Sequence, residues 1–161
     1  VWTLLSPKVM PQTGDTYITS PAYANLGNYT GDRDIWAGKM TWGLAVSGPE
    51  SVARNQSFDI MVLITKVYEK PGNSWLRGTS ISVQNISLFL DDGTLLATTH
   101  DGTDRGFGVS ANLTLSFAQR DTYTIYVYAK FLVYEMMRIG FIPLESVEIT
   151  EAYLDVGIQV S

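Results

Sequence analysis

Val109, Ala111, Leu113, Leu115 and Phe117 are apolar, and Ser110, Asn112, Thr114 and Ser116 between them are polar. An uninterrupted period of two predicts a strand with one buried and one solvated face; a helix needs apolar residues three and four apart. The same alternation returns at Met40, Trp42, Leu44 and Val46, at Phe58, Ile60, Val62 and Ile64, and at Leu154, Val156, Ile158 and Val160. Met61 and Leu63 make the other face of the second of these segments apolar, as in a strand covered on both sides. Ile81 and Val83 run out of phase with Ile86, Leu88 and Leu90, which places a bulge or a break at Gln84-Asn85. Gly48-Pro49, Pro71-Gly72-Asn73, Asp92-Gly93, Asp101-Gly102 and Arg120-Asp121 mark turns, the last leading into a long strand over Tyr123–Tyr134. Amphipathic helical periodicity is missing, and Met136–Ile142 has room for one helical turn at most. Seven or eight strands joined by turns predict an all-β, antiparallel β-sandwich over residues 39–161.

Composition narrows the chemistry such a domain can perform. The chain holds no cysteine and one histidine, which removes disulfides, thiolate zinc sites, a cysteine nucleophile and any multi-histidine metal site built within one chain. Sixteen acidic against eleven basic residues argue against a nucleic-acid partner. No apolar run approaches the ~20 residues of a membrane-spanning helix. A Gly-x-Ser-x-Gly nucleophile elbow and a Gly-rich phosphate loop are both missing. No cofactor is expected, and the chain does not read as an enzyme.

The segment before residue 39 divides in two. Residues 1–11 are apolar, with Val1, Trp2, Leu4, Leu5, Val9 and Met10 all suited to burial. Pro7 and Pro11 exclude a helix interior and suit an extended edge strand. Residues 12–38 show no periodicity and read as a long irregular linker. Leaving the large terminal side chains in water forfeits about 1.5–3 kcal/mol each, so the segment docks somewhere: on its own sandwich, on a neighbouring copy, or on another protein.

Two features point outside the cell. The chain begins at Val1, with the expectation that a leader has been removed. Asn28, Asn55, Asn85 and Asn112 each open an Asn-x-Ser/Thr sequon, four of the six asparagines present. Glycosylation at that density implies export to an extracellular or cell-surface location. By strand alternation Asn112 is the acceptor best exposed, and Asn85, at the phase slip, the least certain.

The stretch Gly48-Pro49 to Phe58-Asp59-Ile60-Met61-Val62, the strand Ile86–Gly93, and Asp121-Thr-Tyr-Thr-Ile-Tyr-Val-Tyr-Ala129 together resemble an immunoglobulin-like or fibronectin-like sandwich over residues 39–161. A jelly roll would show a similar pattern, and the Cys…Trp…Cys signature of antibody domains is missing. That resemblance implies a tyrosine corner at Tyr123, its hydroxyl bonding back to upstream backbone; the alternative is an ordinary strand aromatic. An apolar terminal strand on a tether resembles, in organisation alone, the subunits of archaeal surface filaments, threads and pili. The resemblance implies donor-strand complementation, with residues 1–10 completing a neighbour's sandwich in a head-to-tail homopolymer.

Other candidate groups are few. His100 beside Asp101 reads as a base or as a solvated loop residue. Asp91, Asp92, Asp101 and Asp104 could hold Ca²⁺ if their loops share one end of the sandwich; otherwise they serve turn chemistry. Tyr126, Tyr128 and Tyr134 share the second face of their strand with Lys130, as an exposed binding row for sugar or protein or as a covered layer. The function expected is a glycosylated structural subunit of an extracellular filament. The alternatives are a surface carbohydrate- or protein-binding module and a viral coat protein.

Overall fold

The computed structural model describes residues 23–35, 38–71, 76–139 and 141–161. Its strands are β1 (Ala24–Ile35), β2 (Gly38–Gly48), β3 (Ser51–Val52), β4 (Phe58–Pro71), β5 (Leu76–Leu90), β6 (Leu95–Thr99), β7 (Thr103–Asp104), β8 (Gly108–Leu115), β9 (Asp121–Ile139) and β10 (Ile142–Val160). They form two five-stranded sheets, ordered β1-β2-β4-β8-β7 and β3-β10-β9-β5-β6. Every pairing is antiparallel except β3 with β10, which is parallel over Ser51–Val52 against Gln159–Val160. Taking β2, β4, β8 and β7 as strands A, B, E and D, and β5, β9 and β10 as C, F and G, gives the strand order of an immunoglobulin-like sandwich. β6 then stands where variable-type domains place an extra strand beside C.

The alternating residues supply the core. Leu44, Val46, Ile60, Val62 and Ile64 of the first sheet face Ile86, Leu88, Ile125, Ala129 and Phe131 of the second, all at most 1% exposed. Trp42 packs edge-on against Phe131, ring centroids 5.4 Å apart. Met61 and Leu63, expected under a second cover, are half-buried on the outer face of β4. The phase slip at Gln84-Asn85 is a register shift between Val83 and Asn85, so β5 continues through it as one bulged strand. At the hairpin over Asp92-Gly93, Gly93 takes φ 88°, a left-handed conformation that a glycine adopts without a Cβ penalty.

Two expectations need correction. Residues 24–35, assigned to the irregular linker 12–38, form β1, which pairs antiparallel with β2 along its whole length. The alternation is hidden because β1 meets its neighbours with glycines. A Cβ on Gly27 would lie 3.2 Å from Leu154, and one on Gly31 would lie 2.4 Å from the Trp42 ring, so large side chains of other strands fill the places apolar β1 residues would occupy. The second correction concerns Met136–Ile142: β9 runs on to Ile139 and β10 starts at Ile142, making a long hairpin rather than a helical turn. The strand total exceeds seven or eight through β1 and the two-residue β3 and β7. Residues 1–11, the expected detached strand, lie outside the described residues, as do residues 12–22 of the linker. Among the described residues no helix is long and apolar enough to cross a membrane.

Candidate functional site: an aromatic sheet face and the outer side of its last long strand

Burial of Ala129, Phe131 and Val133 toward the core turns the even-numbered residues of β9 outward, because successive side chains leave opposite faces of a strand. The β9–β10 register sets Tyr126 opposite Asp155, Tyr128 opposite Tyr153, Lys130 opposite Glu151, Leu132 opposite Ile149 and Tyr134 opposite Val147. Much of this face is open: Tyr126 is 45% exposed, Met136 55%, Val147 49%, Ile149 54% and Tyr153 66%. Tyr126, Tyr128, Tyr134 and Lys130 thus share one face, with Tyr128, Lys130 and Tyr134 half-buried in it.

At one end of the face, Phe89, Tyr126, Tyr128 and Tyr153 stand over Val127 and Leu154 around a groove of about 390 Å³. The Tyr128 and Tyr153 rings lie 5.1 Å apart and tilted by 40°. The Tyr128 hydroxyl donates to Glu151 Oε2 at 2.5 Å. That bond holds the phenol proton and pushes the Tyr128 pKa up to about 12, with desolvation and the Glu151 charge acting in the same direction.

The outer side of β10 is the second feature. β10 pairs with β9 along its full length, and on its other side, among the described residues, it meets β3 at Gln159–Val160. β1 approaches that side near Leu154 and Val156, at Gly27. Within the stretch 142–153, Glu148, Ile149 and Thr150 make further contacts of their own.

Of the groups singled out in the sequence, the aspartates stay apart. Asp91 and Asp92 lie before β6, and Asp101 and Asp104 lie after it, at the strand's opposite end. Asp92 Oδ1 accepts from the Thr94 amide at 2.9 Å, and Asp104 Oδ1 accepts from the Gly106 amide at 2.8 Å. Hydrogen bonds from Thr94, its side chain foremost, hold the Asp92 carboxyl below its ordinary value. These are turn contacts, and among the described residues no three acidic or histidine side chains converge as a metal site. His100 is exposed, and its Nδ1–H donates to the Gln84 carbonyl oxygen at 3.1 Å, an anchor on the β5 bulge.

Tyr123 is half-buried, its ring stacked on Phe117 at 4.0 Å, and its hydroxyl donates to the Gln119 carbonyl oxygen at 3.0 Å. That bond, from the start of β9 back to the turn before it, has the geometry of a tyrosine corner. Asn28, Asn55 and Asn112 are exposed; Asn85 is half-buried. Asn85 Oδ1 accepts from the Ser87 hydroxyl of its own sequon at 2.7 Å, and Ser87 is 5% exposed. Val1, Trp2, Leu4, Leu5, Val9 and Met10 lie outside the described residues.

Tyr153, Ile149, Val147, Met136 and Leu132 were missed as parts of the face. Their signal was present: Val147, Ile149 and Tyr153 alternate in the phase opposite to Leu154, Val156 and Ile158. No protein-family model matches the chain, and no curated protein matches it.

Proposed function

We propose that the chain is a structural subunit of an extracellular, cell-surface filament of the archaeal thread or pilus kind. It is exported and N-glycosylated, and residues 1–10 add as a strand to the sandwich of a neighbouring copy. The observation that carries this reading is the apolar segment of residues 1–11, whose Val1, Trp2, Leu4, Leu5, Val9 and Met10 need a surface to cover them. Strand addition satisfies the N–H and C=O groups of such a segment through main-chain bonds that depend little on side-chain identity. Charges agree with docking on β10, which carries Glu145, Glu148, Glu151 and Asp155, whereas residues 1–11 contain Lys8 and no acidic residue. Exposed Asn28, Asn55 and Asn112 support glycans on the outer surfaces.

Native chains and chains beginning at residue 11 should differ in hydrodynamic size, the native chains forming polymers visible by electron microscopy and the shortened ones remaining small. Equal, compact, monomeric sizes for both would overturn strand donation.

A further inference from the structure

We propose that the outer face of β9 and β10 is a two-fold interface between two copies of this chain, packed face to face with their strands aligned. The proposal concerns the sheet face rather than the strand edge, and it stands whether or not residues 1–10 are donated.

The argument begins with area. Tyr126, Met136, Val147, Ile149 and Tyr153 are 45–66% exposed and together present on the order of 500 Å² to solvent. With half-buried Tyr128, Leu132 and Tyr134 the face nears the ~800 Å² per partner of a standard stable interface, and it exceeds the few hundred Å² usual for an unpartnered patch.

Register decides what fits on it. A two-fold axis parallel to the strands places β9 of one copy over β10 of the other and keeps each residue at its own level. Every cross-strand pair is then repeated between the copies: Leu132 over Ile149 of the partner subunit, Tyr134 over the partner's Val147, Tyr128 over the partner's Tyr153. These three levels bring apolar or aromatic groups together. At the level between them, Lys130 lies over the partner's Glu151 and Glu151 over the partner's Lys130. Tyr126 lies over the partner's Asp155, a phenol against a carboxylate. An axis across the strands at this level would instead set Lys130 on Lys130. The face is therefore complementary to itself in one orientation, in charge as well as polarity, and a second copy is the occupant with that property.

The test uses the full chain. Lys130→Glu gives a face with two acidic groups at this level, and Glu151→Lys gives one with two basic groups. Each variant alone should self-associate at least tenfold more weakly than the wild type by sedimentation, and an equimolar mixture should recover the pairing, since each face now complements the other. Like charges across one chain's own strands also strain the monomer, so a second measurement avoids them. The chain holds no cysteine. Mixing Leu132→Cys chains with Ile149→Cys chains should give heterodimers with a thiol cross-linker of about 10 Å, the spacing of packed sheets, more readily than either variant alone. Four results would overturn the proposal: both charge variants associating like the wild type, no recovery on mixing, no preference for the mixed cross-link, or a wild-type face that is filled by a soluble oligosaccharide or by the chain's own terminal segment. Absence of polymers from the native chain, with the mixed cross-link retained, would remove strand donation and leave this interface standing.

Discussion

Replacing Gly31 with alanine tests the least expected part of the fold, the docking of β1 on the sandwich. A Cβ at this position would lie 2.4 Å from Trp42 Cζ2 and 2.6 Å from Cε2, well inside van der Waals contact. The indole has little freedom to yield. It is 5% exposed, edge-on to Phe131 at 5.4 Å on one side and near Tyr29 at 5.6 Å on the other. Overpacking of this kind costs about 1–3 kcal/mol. Against it stands the reduced unfolded-state entropy of alanine, worth about 0.4–1 kcal/mol where the backbone accepts a side chain. The clash is the larger effect, leaving a net loss of about 1–2 kcal/mol and a Tm lower by about 2–8 °C for a chain of this size.

Thermal unfolding followed by circular dichroism reads this directly, and Gly157→Ala is the internal control. Nothing lies within 4 Å of a Cβ on Gly157, so that variant should be neutral or slightly more stable. Trp42→Phe removes part of the indole, so the double variant Gly31→Ala/Trp42→Phe should be more stable than the two single losses add up to. A Gly31→Ala chain melting at or above the wild type would refute the docking of β1 against Trp42.

Three further outcomes are expected. Tyr128 should titrate near pH 12 in an ultraviolet absorbance titration, and Glu151→Gln should bring it back toward 10. Because its folded pKa lies above the unfolded value of 10, its contribution to stability is complete below about pH 10 and is lost as pH rises from there to about 12. Tyr123→Phe keeps the stack on Phe117 and loses the bond to Gln119, so urea unfolding should show a loss of about 0.5–1.5 kcal/mol, with Tyr123→Ala costing more. If the native chain is glycosylated, its intact mass should fall by a glycan on Asn112→Gln and stay unchanged, apart from the residue itself, on Asn85→Gln, since Ser87 and Asn85 already bond each other.

The sandwich was legible wherever one side chain in two enters the core, as in β8, where Val109, Ala111, Leu113 and Leu115 are all buried. The β5 bulge was legible because a slip of one residue moves an apolar set to the other face. β1 was not, because Gly27 and Gly31 meet Leu154, Val156 and Trp42 where apolar side chains would have marked an inner face, and Leu26, packed on the core, sits at the Asn25–Gly27 register shift, outside any alternation. The face was half legible. Tyr126, Tyr128 and Tyr134 stand out as a row on one strand, but Leu132, Ile149 and Tyr153 join them only once the β9–β10 register is known. The aspartates misled in another way: distance along the chain does not say that one five-residue strand, β6, carries their loops to opposite ends.

Edge and face belong to one strand, and their directions are independent. Hydrogen bonds to a strand added along β10 lie in the plane of the sheet, whereas a copy packed on Tyr153, Ile149 and Val147 lies along the normal to it. Under the proposed function the first contact would propagate a polymer, since a donated terminal strand and the edge that accepts it are different surfaces and form a heterologous contact. The second would close after one partner, since both copies use the same surface. A subunit with both would pair polymers side by side without branching. Lys130→Glu should then yield single filaments where the wild type yields paired ones. A substitution that buries charge at Leu4 or Leu5 should abolish filaments and leave the paired face able to cross-link.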